Sequence, residues 1–124
     1  MTLSPHAAAV KAVLEAKPGA VAAPLASAAG VVLYKVMGKM FAILEDSRVQ
    51  VLILKCDPQL VEVLCEQYEG VGHRGHLDRR FWISVALGAD VPPQEIERLC
   101  GHSYDLVRAK LTRKQRAELE TLSA

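Results

Sequence analysis

The stretch between Gly70 and Asp78 crowds glycine, histidine, arginine and aspartate together. Gly70-Val71-Gly72-His73-Arg74-Gly75 has the spacing G-x-G-x-x-G, which cradles a pyrophosphate only where a strand precedes it and a helix follows. The flanking patterns run the other way, helix before and strand after, so the spacing predicts a flexible loop and not a nucleotide fold. His73, His76 and Asp78 bring two imidazoles and a carboxylate, donors that borderline metals accept. No fourth ligand is indicated, and the chain is read without a metal or cofactor.

His102, Ser103 and Asp105 are the residue types of a hydrolytic triad. On one helix, however, Ser103 points about 100° away from His102, so the three cannot form the linear relay that such catalysis needs. His102 and Asp105, at i and i+3, are placed to pair on the helix surface, and Ser103 to bond back to its own helix. Cys56, Cys65 and Cys100 are odd in number and contain no C-x-x-C pair, which disfavours a disulfide framework and a zinc knuckle. Cys65 and Cys100 fall on apolar helical stripes and Cys56 precedes a helix start; all three are read as core thiols in a reducing cytoplasm. No nucleophile, base and orienting group converge by spacing, so the sequence points away from an enzyme.

Positive charge is the clearest asymmetry. Arg108, Lys110, Arg113, Lys114 and Arg116 fall within nine residues that contain no acid. Cations in a first helical turn oppose the helix dipole, so Arg113, Lys114 and Arg116 are not where helix stability alone would put them. With the free N–H groups after Thr112 they would form an anion site; the same residues also read as a solvated face balanced by Glu118 and Glu120. Lys35, Lys39 and Lys55 on predicted strands, and Arg74, Arg79 and Arg80 on the glycine-rich loop, extend this surface if the fold gathers them.

The chain that must position these groups has 124 residues, 51% of them hydrophobic and 23% charged, with a formal net charge of +1. That predicts one domain over residues 1–124 with a single core, and no overall field drawing it to nucleic acid or an anionic membrane. The N-terminal run lacks a basic segment and is broken by Lys11, Glu15 and Lys17, so neither an export signal nor a membrane span is expected.

Ser4-Pro5 predicts the start of a helix running to about Ala16. Residues 18–30, Ala-rich but broken by Pro18, Gly19, Pro24 and Gly30, read as a connection lying against the domain. VVLYKVM, KMFAILE and RVQVLILK predict three strands in an antiparallel meander, with apolar positions on both faces and hence a well-covered sheet. Strict alternation puts Phe41 and Ile43 opposite Met40, Ala42 and Leu44. Asp57-Pro58 opens a second helix to about Gln67, RFWISVAL is a fourth strand closing at Gly88, and Pro92-Pro93 opens a long helix with Gly101 as a candidate kink. Thr112-x-x-Gln115 has the form of a capping box for a last helix.

YKVMGKMFAIL at 34–44, LKCDPQL at 54–60, HLDRRFWISV at 76–85 and HSYDLVRAKL at 102–111 together resemble the MmcQ/YjbR family in order and spacing, from about Pro18 onward. The resemblance implies an α+β fold of CyaY-like, two-layer, double-wing type, an antiparallel sheet covered by helices, and a predicted DNA-binding role that is itself inferred from fold. On the family pattern, Gly38-Lys39 match the hairpin, Lys55 and Asp57-Pro58 the strand-to-helix junction, Arg79, Arg80 and Trp82 the loop-to-strand entry, and Ser103-Tyr104-Asp105 the long helix. Two departures stand out: the segment after Pro18-Gly19 is Ala-rich where the family usually carries acidic and aromatic residues, and Phe81 stands where histidine is common. The acidic ridge associated with iron handling in frataxin-like proteins is missing, since the first helix has only Glu15.

The leading expectation is therefore a non-enzymatic module that binds DNA through phosphates with little base-specific readout, using Lys35, Lys39, Lys55, Arg74, Arg79, Arg80, Arg108, Lys110, Arg113, Lys114 and Arg116. The alternative is a protein-interaction or regulatory domain using an exposed sheet edge or the surface around Trp82 and Tyr104.

Overall fold

The computed structural model describes residues 4–123. Ser4 caps α1 (Pro5–Glu15), its hydroxyl accepting the Ala7 N–H at 3.1 Å while Pro5 takes the first helical turn. Six strands follow as one antiparallel sheet: β1 (Ala20–Pro24), β2 (Val31–Val36), β3 (Lys39–Asp46), β4 (Gln50–Lys55), β5 (Val71–Gly72) and β6 (Trp82–Ala86), in the spatial order β1-β2-β3-β4-β6-β5. Between β4 and β5 lies α2 (Pro58–Gln67), capped by Asp57, and after β6 come α3 (Pro93–Ala109) and α4 (Arg113–Ser123).

The expected α+β architecture and the β2-β3-β4 meander are present. The Ala-rich segment is not merely a connection. Its residues 20–24 form β1, paired with Val36 back to Val32, because small side chains let an edge strand lie close to β2. The glycine-rich run likewise contributes the two-residue β5. Gly101 does not interrupt α3, which is continuous through it.

Each of the four helices contributes to one apolar cluster: Leu14 from α1, Leu64 from α2, Leu99 and Val107 from α3, Leu119 from α4, packed on Tyr34, Leu52, Leu54 and Val85 of the sheet. Val51 and Ile53 alternate with Leu52 and Leu54 and, though only 8% exposed, lie outside that cluster. They project from the opposite face, in register with Ala86 and Ser84 on β6 and with Glu45 and Ile43 on β3. The helices thus cover one face of the sheet, not both as the two-sided apolar pattern predicts.

The simple alternation predicted for β3 fails at one residue. Tyr34 pairs with Ala42, but Lys35 pairs with Met40, which leaves Phe41 as an extra residue on β3. Phe41 and Ala42 are in consequence both fully buried, and Ile43 and Glu45 turn to the other face. The connection from β2 to β3 is the two-residue loop Met37-Gly38, with φ of 50° and 81°. Positive φ at both positions matches the twist of a tight hairpin and makes glycine the favoured second residue.

Candidate anion-binding end of the sheet

The bulge at Phe41 takes its carbonyl out of the strand ladder, and the sheet splays where β4 ends. Ser103, fully buried on α3, fills the gap: its hydroxyl donates to the Phe41 carbonyl at 2.6 Å and accepts the Lys55 N–H at 2.9 Å. The neighbouring residues on α3 act in the same way. His102 Nε2 accepts the Asp57 N–H at 3.2 Å, and the Tyr104 hydroxyl donates to the Pro18 carbonyl at 2.6 Å, its ring edge-on to Phe41. Ser103 therefore does not bond back to its own helix, and His102 does not spend its bonding nitrogen on Asp105. The run His102-Ser103-Tyr104 fixes three separate segments, at positions 57, 41/55 and 18, to one end of the sheet.

That end collects cations. Lys39 opens β3, Lys55 closes β4, and Lys110 caps α3; the Lys39 ammonium donates to the Lys110 carbonyl at 3.2 Å. Burial lowers the Lys55 pKa from its ordinary value, and the charges of Lys110 and then Lys39 lower it further. Lys35 lies on β2 at the same end, paired with Met40. Arg79 and Arg80 join it because the Cys56 N–H donates to the Phe81 carbonyl at 2.7 Å, tying their loop to the end of β4. Arg108, Arg113 and Lys114 are exposed around the turn between α3 and α4, beside Lys110. That turn is the predicted capping box: Thr112 N–H donates to Gln115 and Gln115 N–H to the Thr112 hydroxyl.

Two of the predicted contacts go elsewhere. Arg74 makes two hydrogen bonds to Glu45 at the opposite end of the sheet, at 3.2 and 3.1 Å. Arg116 turns back on α3, donating to the Leu111 and Ala109 carbonyls, where its charge suits the negative end of the helix. Arg80 stays at the basic end but is held by Asp78, whose carboxyl it keeps at about 2, and sits 5.2 Å over the Phe81 ring. Among the described residues, Lys39, Lys55, Lys110, Arg79, Arg108, Arg113 and Lys114 form no ion pair.

Cys56 and Cys100 are buried thiols, pushed up by burial to about 11 and about 12. Cys65 is half-buried and packed against the core cluster, and its sulfur lies 3.9 Å from His73 Nε2. Nothing in the linear spacing of a helix residue and a post-strand histidine signals that meeting. Among the described residues, no three His, Cys, Asp or Glu side chains converge as a metal site would require, and no helix is long and apolar enough to cross a membrane.

The YjbR family model matches residues 15–106. A crystal structure of a Deinococcus radiodurans protein with the DUF419 domain is similar at 27% identity and a TM-score of 0.79, over 90% of this chain and 85% of that one. A crystal structure from Pseudomonas syringae is similar at 24% identity and a TM-score of 0.67, over 77% and 92% of the two chains. A solution structure from the same species gives 22% identity and 0.65, over 84% and 93%. Among curated proteins, none matches.

Proposed function

The chain belongs to the YjbR family, and from that premise we propose that its basic sheet end binds nucleic acid through phosphates, without catalysis and with little base-specific readout. The observation that carries this reading is the grouping of Lys39, Lys55 and Lys110: burial first, then the charges of Lys110 and Lys39, disfavour the charged form of Lys55, and the Lys39 ammonium reaches the Lys110 carbonyl. Such an arrangement costs folding energy in the free protein and is relieved when an anion enters. Lys35, Arg79, Arg108, Arg113 and Lys114 lie on elements and turns at the same end and would lengthen the surface along which a phosphate backbone would run. The near-neutral net charge keeps the number of neutralised phosphates small and the affinity modest.

Binding to labelled duplex and single-stranded DNA across a salt series tests the proposal. Replacing Lys39, Lys55 and Lys110 together by Gln is expected to shallow the slope of log K against log salt by about 0.9 for each duplex phosphate that is no longer neutralised. Arg74→Gln, at the other end, is expected to leave the slope unchanged. Absent or salt-independent binding overturns the reading.

A protein partner is the second reading, favoured by the sheet face that the helices leave free, where Leu33 and Ile43 are partly exposed beside the buried Val51 and Ile53. Capture of one stoichiometric protein in the absence of nucleic acid, abolished when Ile43 becomes Lys, would favour it.

A further inference from the structure

The fold assembles one reactive group that the sequence keeps apart and the basic surface does not use. His73 Nδ1 lies 3.2 Å from the Trp82 carbonyl oxygen. A carbonyl only accepts, so Nδ1 carries the hydrogen and the neutral ring keeps its lone pair on Nε2. That lone pair faces Cys65 Sγ at 3.9 Å, within reach of an S–H donor. Nucleophile, base and the group that orients the base thus stand in line, the arrangement by which a thiol is activated.

The surroundings set what could react there. His73 lines a cleft of about 520 Å³ together with Glu62, Arg79, Arg80 and Phe81; Cys65 is not among the lining residues and meets the cleft through His73. Burial pushes the Cys65 thiol up; Arg79 pulls it down and Glu62 adds to the upward push. The resting group is therefore the thiol, and attack needs a base at the moment it occurs. Arg80 is already held by Asp78, whereas Arg79 has no carboxylate partner among the described residues. The free cation at the cleft favours an electrophile that carries a carboxylate.

We propose that Cys65 is a thiol–disulfide exchange site for small carboxylate-bearing disulfides, with His73 as general base and Arg79 as the carboxylate contact. His73 Nε2 takes the proton from Sγ as the sulfur attacks one sulfur of the disulfide. A new S–S bond forms to Cys65, the original S–S bond breaks, and the departing thiolate takes the proton from His73 and leaves as a free thiol. Cys65 is oxidised by the incoming disulfide, whose departing half is reduced, so no other oxidant enters. Cys56 and Cys100, at 1% and 0% exposure, are excluded by burial in the same molecule.

Oxidised glutathione on the folded full chain is the probe, with adducts located by peptide mass spectrometry and hydroxyethyl disulfide as the neutral comparison. The adduct is expected on Cys65 alone, with a rate at neutral pH above what ionisation of the thiol alone would give. His73→Gln is expected to slow the reaction by about 100-fold at neutral pH and much less in alkali, where the thiolate forms unaided. Arg79→Gln is expected to slow glutathione more than the neutral disulfide. Modification of Cys56 or Cys100 as fast as Cys65 overturns the proposal, as does a wild-type rate that follows thiol ionisation alone, a readout that needs no variant to fold. Equal slowing of both disulfides by Arg79→Gln removes the carboxylate contact.

Discussion

Where β3 closes and β4 begins, charge is answered locally. Arg74 reaches both Glu45 oxygens, Asp46 accepts the Ser4 N–H at 3.1 Å, and Asp90 accepts the Glu69 and Gly70 N–H groups at 2.7 Å each. Where β3 begins and β4 closes, the charges of Lys110 and Lys39 bear on the partly buried Lys55 instead, and a fully buried serine bridges the Phe41 carbonyl and the Lys55 N–H. At the first end these groups find a counter-charge or a hydrogen bond, while the exposed Arg48 on the same turn forms no ion pair among the described residues. The second tolerates electrostatic cost on a rigid frame. A surface that binds an anion needs both features, since cations neutralised in advance would have to break their pairs first.

Four substitutions probe that difference. The largest effect belongs to the frame of the basic end. Ser103→Ala leaves the Phe41 carbonyl and the Lys55 N–H without a partner in a dry site. It is expected to lower stability by about 2–4 kcal/mol, measured by urea unfolding; a loss below about 0.5 kcal/mol would mean that the strands close up without it.

Next comes a contrast in sign. Glu45→Gln removes a half-exposed pair and is expected to cost about 0.5 kcal/mol, whereas Lys55→Gln is expected to stabilise the free protein at neutral pH. The pH dependence follows. The fold lowers the Lys55 pKa below its ordinary 10.5, so in the window between the two values the unfolded chain binds the proton better. The cost of the charged lysine is present at neutral pH and is relieved as pH rises toward 10.5, and Lys55→Gln removes that gain. Unfolding midpoints of both proteins at about pH 7 and about pH 10 check it; a difference that does not narrow with pH would mean that neither burial nor the neighbouring amines disfavour the Lys55 charge.

The smallest effect is expected in the core that both ends share. Among the described residues the buried Tyr34 hydroxyl has no hydrogen-bond partner, so Tyr34→Phe should change stability by less than about 0.5 kcal/mol or raise it. A loss well beyond that, read from the same unfolding curves, would show that the hydroxyl finds a partner in solution.

Local signals were legible because they involve neighbours in the chain. Ser4-Pro5, Asp57-Pro58 and Thr112-x-x-Gln115 place helix starts through bonds spanning two or three residues. The meander follows from short connections between β-branched runs, and the quoted family segments sit on the strands and helix that form the frame. Less legible was β1, whose alanines carry no β signal and which forms only because β2 offers an edge. Nor could alternation foresee the bulge at Phe41, where one residue changes which side chains face the core.

For the candidate site, the sequence by itself determined the supply of cations, including the acid-free run from Arg108 to Arg116, and the helices and strands that carry them. Only the tertiary structure decided their use. It drew Arg74 to Glu45 and Arg116 onto the end of α3, gathered Lys39, Lys55 and Lys110, and brought Cys65 to His73. Periodicity fixes the side of an element on which a residue lies, because that depends on dihedral angles repeated along a short segment. Which distant side chain it meets depends on how twist, one bulge and the packing of helices set the elements against one another, and that is a property of the whole chain.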